Sequence, residues 1–327
     1  MYILKDLAER FYSPAFRSLG LLYLHGEFFQ ADPQEALEWF KKGIDSGSVE
    51  CLFELAQMYD QGLGVEVDQD LADEYYQKSA ESGDFRGQHF VAQRLVVGQP
   101  IKDDARALSW FLKAAESGFS PSQFAVGVFF ELGLGTEKDI MEAARWYEKL
   151  AQNGVVEAQI RLSLLCLLNP EVPDRQAKAV KWAAVAANSG SSEGQNLLGK
   201  IYALGLGVPP DLQKALELFT LAADQGQGLA MLNLIYIFRN GFAGILPDRD
   251  LVVKWVMKGL EMGYSPAKYV LGLMYREGTV LEKNVEQADN LLAELGDDEV
   301  MEIERLLSYI KMEFISHSPA VGPTYTV

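Results

Sequence analysis

The stretch GQNLLGKIYALGLGVPPDLQKALEL, Gly194 to Leu218, decides the fold. Gly194, Leu198 and Tyr202 stand four residues apart, which puts them on one face of a helix, with the small Gly199 directly after the leucine. Gly205 then opens a short link, GLGVPPD, that ends on Asp211, a residue suited to cap the start of a helix. A second helical segment follows, with Ala215 and, three residues on, the bulky Leu218. The stretch therefore predicts two antiparallel helices joined by a glycine turn.

The same arrangement recurs along the chain. Glycines closing the second helix stand at Gly47, Gly83, Gly118, Gly154, Gly190, Gly226 and Gly263, and a second glycine column runs Gly26, Gly62, Gly98, Gly133, Asn169, Gly205, Gly241, Gly278. The one exception, Asn169, is the other residue type that tolerates a left-handed backbone, so this column predicts the C-terminus of each first helix. A small-residue column reads Ala36, Ala72, Ala107, Ala143, Ala179, Ala215, Val252, Ala288, and three residues beyond it stand Trp39, Tyr75, Trp110, Trp146, Trp182, Leu218, Trp255, Leu291. All 5 tryptophans fall in that column, which assigns them to the seam between helices rather than to a site. A hairpin of this kind cannot bury its apolar face alone, and stacking on its neighbours supplies the core.

Bulk properties narrow the function. The 327 residues carry 29 basic and 46 acidic side chains, a net charge of −17, which repels a phosphate backbone and argues against nucleic acid as partner. No apolar run approaches the ~20 residues of a membrane span, so membrane insertion is not expected. Lys5, Asp6, Glu9 and Arg10 interrupt the start of the chain where a signal peptide needs an apolar core, and the expectation is a cytoplasmic protein. Cys51 and Cys166 occupy packing columns about three units apart and are expected as free thiols.

The segment small-x-x-x-L-G-x-x-Y-x-x-G-x-G-V, followed by A-x-x-W and A-A-x-x-G, resembles the Sel-one-like repeat, a longer relative of the tetratricopeptide repeat. The resemblance extends over roughly residues 12–296 and eight units, although the GxGV link is absent from VVGQPIKDD, LLNPEVPDR and REGTVLEKN. It implies an all-α, right-handed superhelical α/α solenoid of helix-turn-helix repeats. Residues 1–11 read as a half-repeat or cap, with Ile3 in the tryptophan column. Residues 297–315 read as a capping helix with Val300, Ile303, Leu307, Ile310 and Phe314 on one face, and residues 316–327 as a disordered tail.

Chemistry has no address in this pattern. The GLG stretches continue into neither GxGxxG nor GKS and follow no strand, so they are turns. His25, His89 and His317 share no ligand spacing with one another or with either cysteine, and no nucleophile elbow is present. No cofactor, metal or catalytic residue is expected.

In solenoids of the tetratricopeptide type the first helix of each hairpin lines the concave side, and the resemblance implies the same here. That places Phe53, His89, Phe124, Ile160, Asn196 and Tyr269, two residues before the leucine column, in a groove together with Gln57, Val128, Leu164, Lys200 and Tyr236, two residues after it. Phe53, Phe124, Val128, Ile160 and Leu164 would form an apolar patch flanked by Glu50, Asp60, Glu131 and Glu157, the character of an interaction surface. The expectation is a non-catalytic scaffold or adaptor in a bacterial cytoplasm, binding a protein or peptide with basic and apolar features. The alternatives are a secreted effector of the same fold acting on a host protein and, from another class, an enzyme with a site in the groove.

Overall fold

The computed structural model describes residues 13–26, 30–98 and 102–317. Among them, 17 helices follow one another with no strand, an all-α repeat solenoid ending in a C-terminal helix. The first helices of the hairpins, here helices A, are α1 (Ser13–His25), α3 (Val49–Gln61), α5 (Phe85–Val97), α7 (Ser120–Leu132), α9 (Val156–Leu168), α11 (Ser192–Leu204), α13 (Gly228–Asn240) and α15 (Ser265–Glu277). The second helices, helices B, are α2 (Pro33–Asp45), α4 (Gln69–Glu81), α6 (Asp104–Glu116), α8 (Ile140–Gln152), α10 (Arg175–Asn188), α12 (Leu212–Asp224), α14 (Arg249–Glu261) and α16 (Val285–Ala293). The last helix is α17 (Asp297–Ser316). The expected half-repeat at 1–11 lies outside the described residues, as does the tail from 318. The chain forms two compact units, Met1–Leu150 and Ala151–Val327.

Seven of the eight hairpins are closed by one residue used twice, the exception being the fifth, where Asp174 makes no side-chain cap. The side chains of Asp32, Asp68, Asp103, Asp139, Asp211 and Asp248 accept from the backbone N–H three residues on, and Asn284 does the same in the last hairpin. These caps satisfy a donor that the first helical turn leaves open. Their own N–H groups donate back to helix A, to the carbonyls of Tyr23, Tyr59, Leu95, Phe130, Tyr202, Phe238 and Tyr275. One residue thus starts helix B and ties it to helix A.

Two links depart from the pattern. Gly205 ends α11 in the left-handed region at φ 70, but Asn169 in the equivalent position has φ −118. Its successor is Pro170, whose ring drives the preceding residue toward extended backbone, so the left-handed conformation expected of Asn169 does not form. Asp174, five residues later, takes φ 53 instead. In the seventh hairpin the link folds into a two-residue bridge between Phe242 and Ile245, with Ala243 at φ 47.

The hairpin core rests on the residue after each tryptophan position. Phe40, Tyr76, Phe111, Tyr147 and Phe219 are buried there, and three of these rings lie against a helix A glycine. A Cβ placed on Gly127 would lie 2.6 Å from the Tyr147 ring, and one on Gly199 2.8 Å from Phe219. The tryptophan column itself is less deep than its pattern suggests. Trp182 and Trp255 are buried, whereas Trp39, Trp110 and Trp146 are half-buried, because that position turns one side of the indole to solvent. A lysine three residues on covers that side: Lys42 over Trp39, Lys113 over Trp110, Lys149 over Trp146 and Lys258 over Trp255, with the ammonium of Lys113 3.9 Å from the ring centre. Such cation–π contacts at exposed sites contribute about 0.5 to 1 kcal/mol.

Cys51 is fully buried, and burial pushes its thiol up to about 11. Cys166 is likewise buried.

The depth of the two columns sets the expected ranking of substitutions. Phe219→Ala should cost about 3 to 5 kcal/mol and Trp110→Ala distinctly less. Gly127→Val should cost about 1 to 3 kcal/mol through the clash with the Tyr147 ring. Chemical denaturation measures all three, and equal losses for Phe219 and Trp110 would return the tryptophans to the core.

Candidate protein-interaction faces

The helix A face of the first unit is built from α1, α3, α5 and α7. Phe53, Gln57, His89, Phe124 and Val128 all stand on it half-buried, as the sequence places them. Phe53 meets Tyr76 of α4 edge-on at 5.5 Å, and Phe124 leans on Tyr147 of α8 at 5.4 Å, so both half-buried rings are anchored by helix B aromatics. Between them in the column stands His89. Its Nδ1 is 2.8 Å from the hydroxyl of Ser122, and its ring packs on Phe111 and Phe119. Burial depresses its pKa, which keeps the imidazole neutral at physiological pH. Ser122 is fully buried, so this pair has no hydroxyl within reach of a substrate.

Beside Phe53 lies a charged network that the repeat pattern did not disclose. Glu54 is 5% exposed and accepts from Arg17 Nε at 2.6 Å and from Arg86 Nη1 at 2.5 Å. Arg86 also reaches Asp84 at 2.6 Å and lies over the Phe53 ring, 4.6 Å from its centre. A buried carboxylate is tolerable only when paired and hydrogen-bonded in this way. Arg17, Glu50, Asp84 and Arg86 line a cleft of about 410 Å³. Of the expected flanking carboxylates in this unit, Asp60 and Glu131 accept from the hydroxyls of Tyr76 and Tyr147, and Glu50 is exposed.

In the second unit the same columns are used differently, and five expectations need correction. Ile160 is buried in the hairpin core, and Asn196, 7% exposed, accepts at 2.9 Å from the side-chain amide of Asn233 in the next helix A. These two are internal because neighbouring helices A close over them. Lys200, Tyr236 and Tyr269 meet α17. Lys200 Nζ lies 2.7 Å from Glu313 and over the Tyr309 ring, Tyr236 stacks on Phe314 at 4.9 Å, and the Tyr269 hydroxyl donates to Glu304 at 2.6 Å. Burial raises the Tyr269 pKa to about 12, with the Glu304 carboxylate adding to the effect. Leu164 remains half-buried, packed against the α10 and α11 core.

The C-terminal helix therefore does more than close the end of the stack. It carries Val300, Ile303, Leu307, Ile310 and Phe314 on the packed side, as its sequence predicts, but it runs back across α15 and α13 to Lys200 on α11. With 20 residues it is about 30 Å long, enough to cross three packed helices. Among the described residues, no group of three or more His, Cys, Asp or Glu is placed to hold a metal, and no helix is long and apolar enough to cross a membrane.

The Sel1 repeat family model matches residues 17–48, 49–84, 86–119, 120–155, 156–191, 192–227 and 265–288. The chain belongs to the Sel1 repeat family. Residues 228–264, the hairpin with the bridged link, fall outside the matched spans, as does α17. A protective antigen of uropathogenic Escherichia coli with this repeat fold is 28% identical over 96% of this chain and 71% of that one, with a TM-score of 0.74. A Sel1 repeat protein from Oxalobacter formigenes shares the fold at a TM-score of 0.70 and 22% identity, over 94% and 90% of the two chains. Among curated proteins, a chitin synthase regulator of Malassezia restricta is 27% identical over 134 residues, 39% of this chain but only 9% of that protein. Sel1 repeat proteins are typically protein-interaction scaffolds without catalytic activity.

The Lys200–Glu313 pair is about four-fifths buried on both sides. A double-mutant cycle with Lys200→Ala and Glu313→Ala should give a favourable coupling of about 1 kcal/mol in denaturant unfolding. A coupling indistinguishable from zero would mean that the pair does not help hold α17 in place.

Proposed function

We propose that this chain is a non-catalytic adaptor that holds a protein or peptide partner against the helix A face of its first unit. The observation that carries the reading is a contrast between equivalent columns. Phe53, Phe124 and Val128 are half-buried on the helix A face of the first unit, with Arg86 from the neighbouring cleft over Phe53, whereas Lys200, Tyr236 and Tyr269 are engaged by the chain's own last helix. Aromatic anchors already held by neighbouring rings lose little freedom on binding, and such residues dominate interface affinity. A chain with a net charge of −17 favours partners carrying Lys or Arg around the apolar anchors, with the charges acting mainly on association rate. The description of the Malassezia relative as a regulator of another protein is in keeping with this reading.

A cytoplasmic location belongs to the same proposal and is supported by Cys51, a buried thiol outside any disulfide. Exposure outside the producing cell has one observation in its favour, the antigenic character of the Escherichia coli relative. Cell fractionation with an antibody to the chain decides between them.

With a partner isolated by affinity capture, Phe53→Ala with Phe124→Ala should weaken its binding at least tenfold, about 1.4 kcal/mol, without abolishing cooperative unfolding. Glu50→Lys should slow association at low salt and leave dissociation nearly unchanged; Glu131 is unsuited to that experiment because its carboxylate holds Tyr147. Unchanged affinity in the double alanine variant would remove the site from this face.

A further inference from the structure

We infer that the helix A face of the second unit is a receptor for an acidic amphipathic helix from a partner protein, and that α17 is its resident, displaceable occupant. The inference rests on the reading of helix A faces as binding faces, but it concerns α11, α13 and α15 and uses none of the first-unit residues.

The chemistry of the occupant is written in its contacts. Ile303, Ile310 and Phe314 are buried, with Leu307 between them, giving apolar anchors at positions i, i+4, i+7 and i+11 of one helical face. Carboxylates beside these anchors meet fixed polar groups of the groove: Glu304 takes the hydroxyl of Tyr269, and Glu313 takes the ammonium of Lys200. Phe314 sits between Tyr236 and Phe242, each 4.9 Å away. The groove thus reads both the spacing of apolar side chains and the sign of the charges next to them.

Three features mark α17 as an occupant rather than a permanent layer of the core. A cleft of about 340 Å³ remains between α13, α15 and α17, bounded by Tyr236, Leu273, Leu307 and Ile310, so the groove is larger than the helix it holds. The outer side of α17 carries large apolar side chains among its charges, with Met301 58%, Met312 69% and Ile315 56% exposed beside Glu302, Arg305 and Lys311. The connection to α16 is three residues, Glu294 to Gly296, and Gly296 has extended backbone with open space around it. A short tether of this kind holds α17 at an effective concentration on the order of millimolar, which a partner helix must outcompete. Its apparent affinity is lowered by the fraction of molecules in which the groove is open.

The test uses the full chain and a fluorescent peptide of residues 297–317 as the probe. Ile310→Asp with Phe314→Asp undocks the chain's own helix, and circular dichroism with thermal unfolding checks the rest of the fold. The peptide should bind this variant at least tenfold more tightly than the parent, and adding Lys200→Glu should weaken that binding at least tenfold. Equal binding to variant and parent, or no binding to either, overturns the inference. Loss of cooperative unfolding in the variant also overturns it, because α17 is then part of the core. Hydrogen exchange on the unaltered chain gives an independent reading: α17 amides should exchange at least tenfold faster than those of α13 and α15. Exchange of all three helices at one common rate excludes a separately opening α17. Failure here leaves the first-unit proposal standing, since that rests on Phe53 and Phe124 and on a different partner.

Discussion

In three of the hairpins a flat aromatic ring on helix B lies against the bare backbone of a helix A glycine, and the close approach of the two helices follows from that contact. Gly127 faces Tyr147 and Gly199 faces Phe219 at distances that exclude a side chain. The sizes in the two columns trade against each other. Where helix A carries Ser163 instead of glycine, the helix B column holds Ala183, and where it carries Ile235, the column holds Val256. The caps follow from this approach, since only helices drawn together leave the Asp N–H within reach of the aromatic carbonyl on helix A.

Repetition made most of this legible in advance. Each column of the hairpin was sampled eight times, so the helices, the glycine ends and the Asp caps could be read from Gly194 to Leu218 and checked in the other units. What repetition could not disclose was the individual. Asn169 shares the character of its column but precedes Pro170, and the local steric rule overrode the column's conformation. The tryptophans were recognised as scaffold, yet sequence spacing does not separate the innermost position from the one beside it.

The binding columns were legible as positions and not as states. Phe53, Phe124 and Val128 are half-buried on helix A of the first unit, but Lys200, Tyr236 and Tyr269 are met by a helix from outside the repeat array. Nothing in a hairpin's own sequence announces that a segment some 113 residues away will lie across it. The Glu54 network was missed for a related reason: four charges, Arg17 on α1, Glu54 on α3, and Asp84 and Arg86 at the start of α5, neutralise one another only after stacking. The two units thus use one helix A scaffold for a half-buried aromatic face and for a face already holding a helix.

The confinement of every tryptophan to helix B has an optical consequence. Excitation of Trp39, Trp110, Trp146, Trp182 and Trp255 illuminates only one of the two helical layers, with lysine ammonium groups beside several of the indoles. Helices A and α17 carry no such chromophore, and their nearest reporters are tyrosines such as Tyr236, Tyr269 and Tyr309. Emission and far-ultraviolet ellipticity are therefore not interchangeable probes of this molecule: the first samples the B layer, and the second counts every helical residue, the 20 of α17 included.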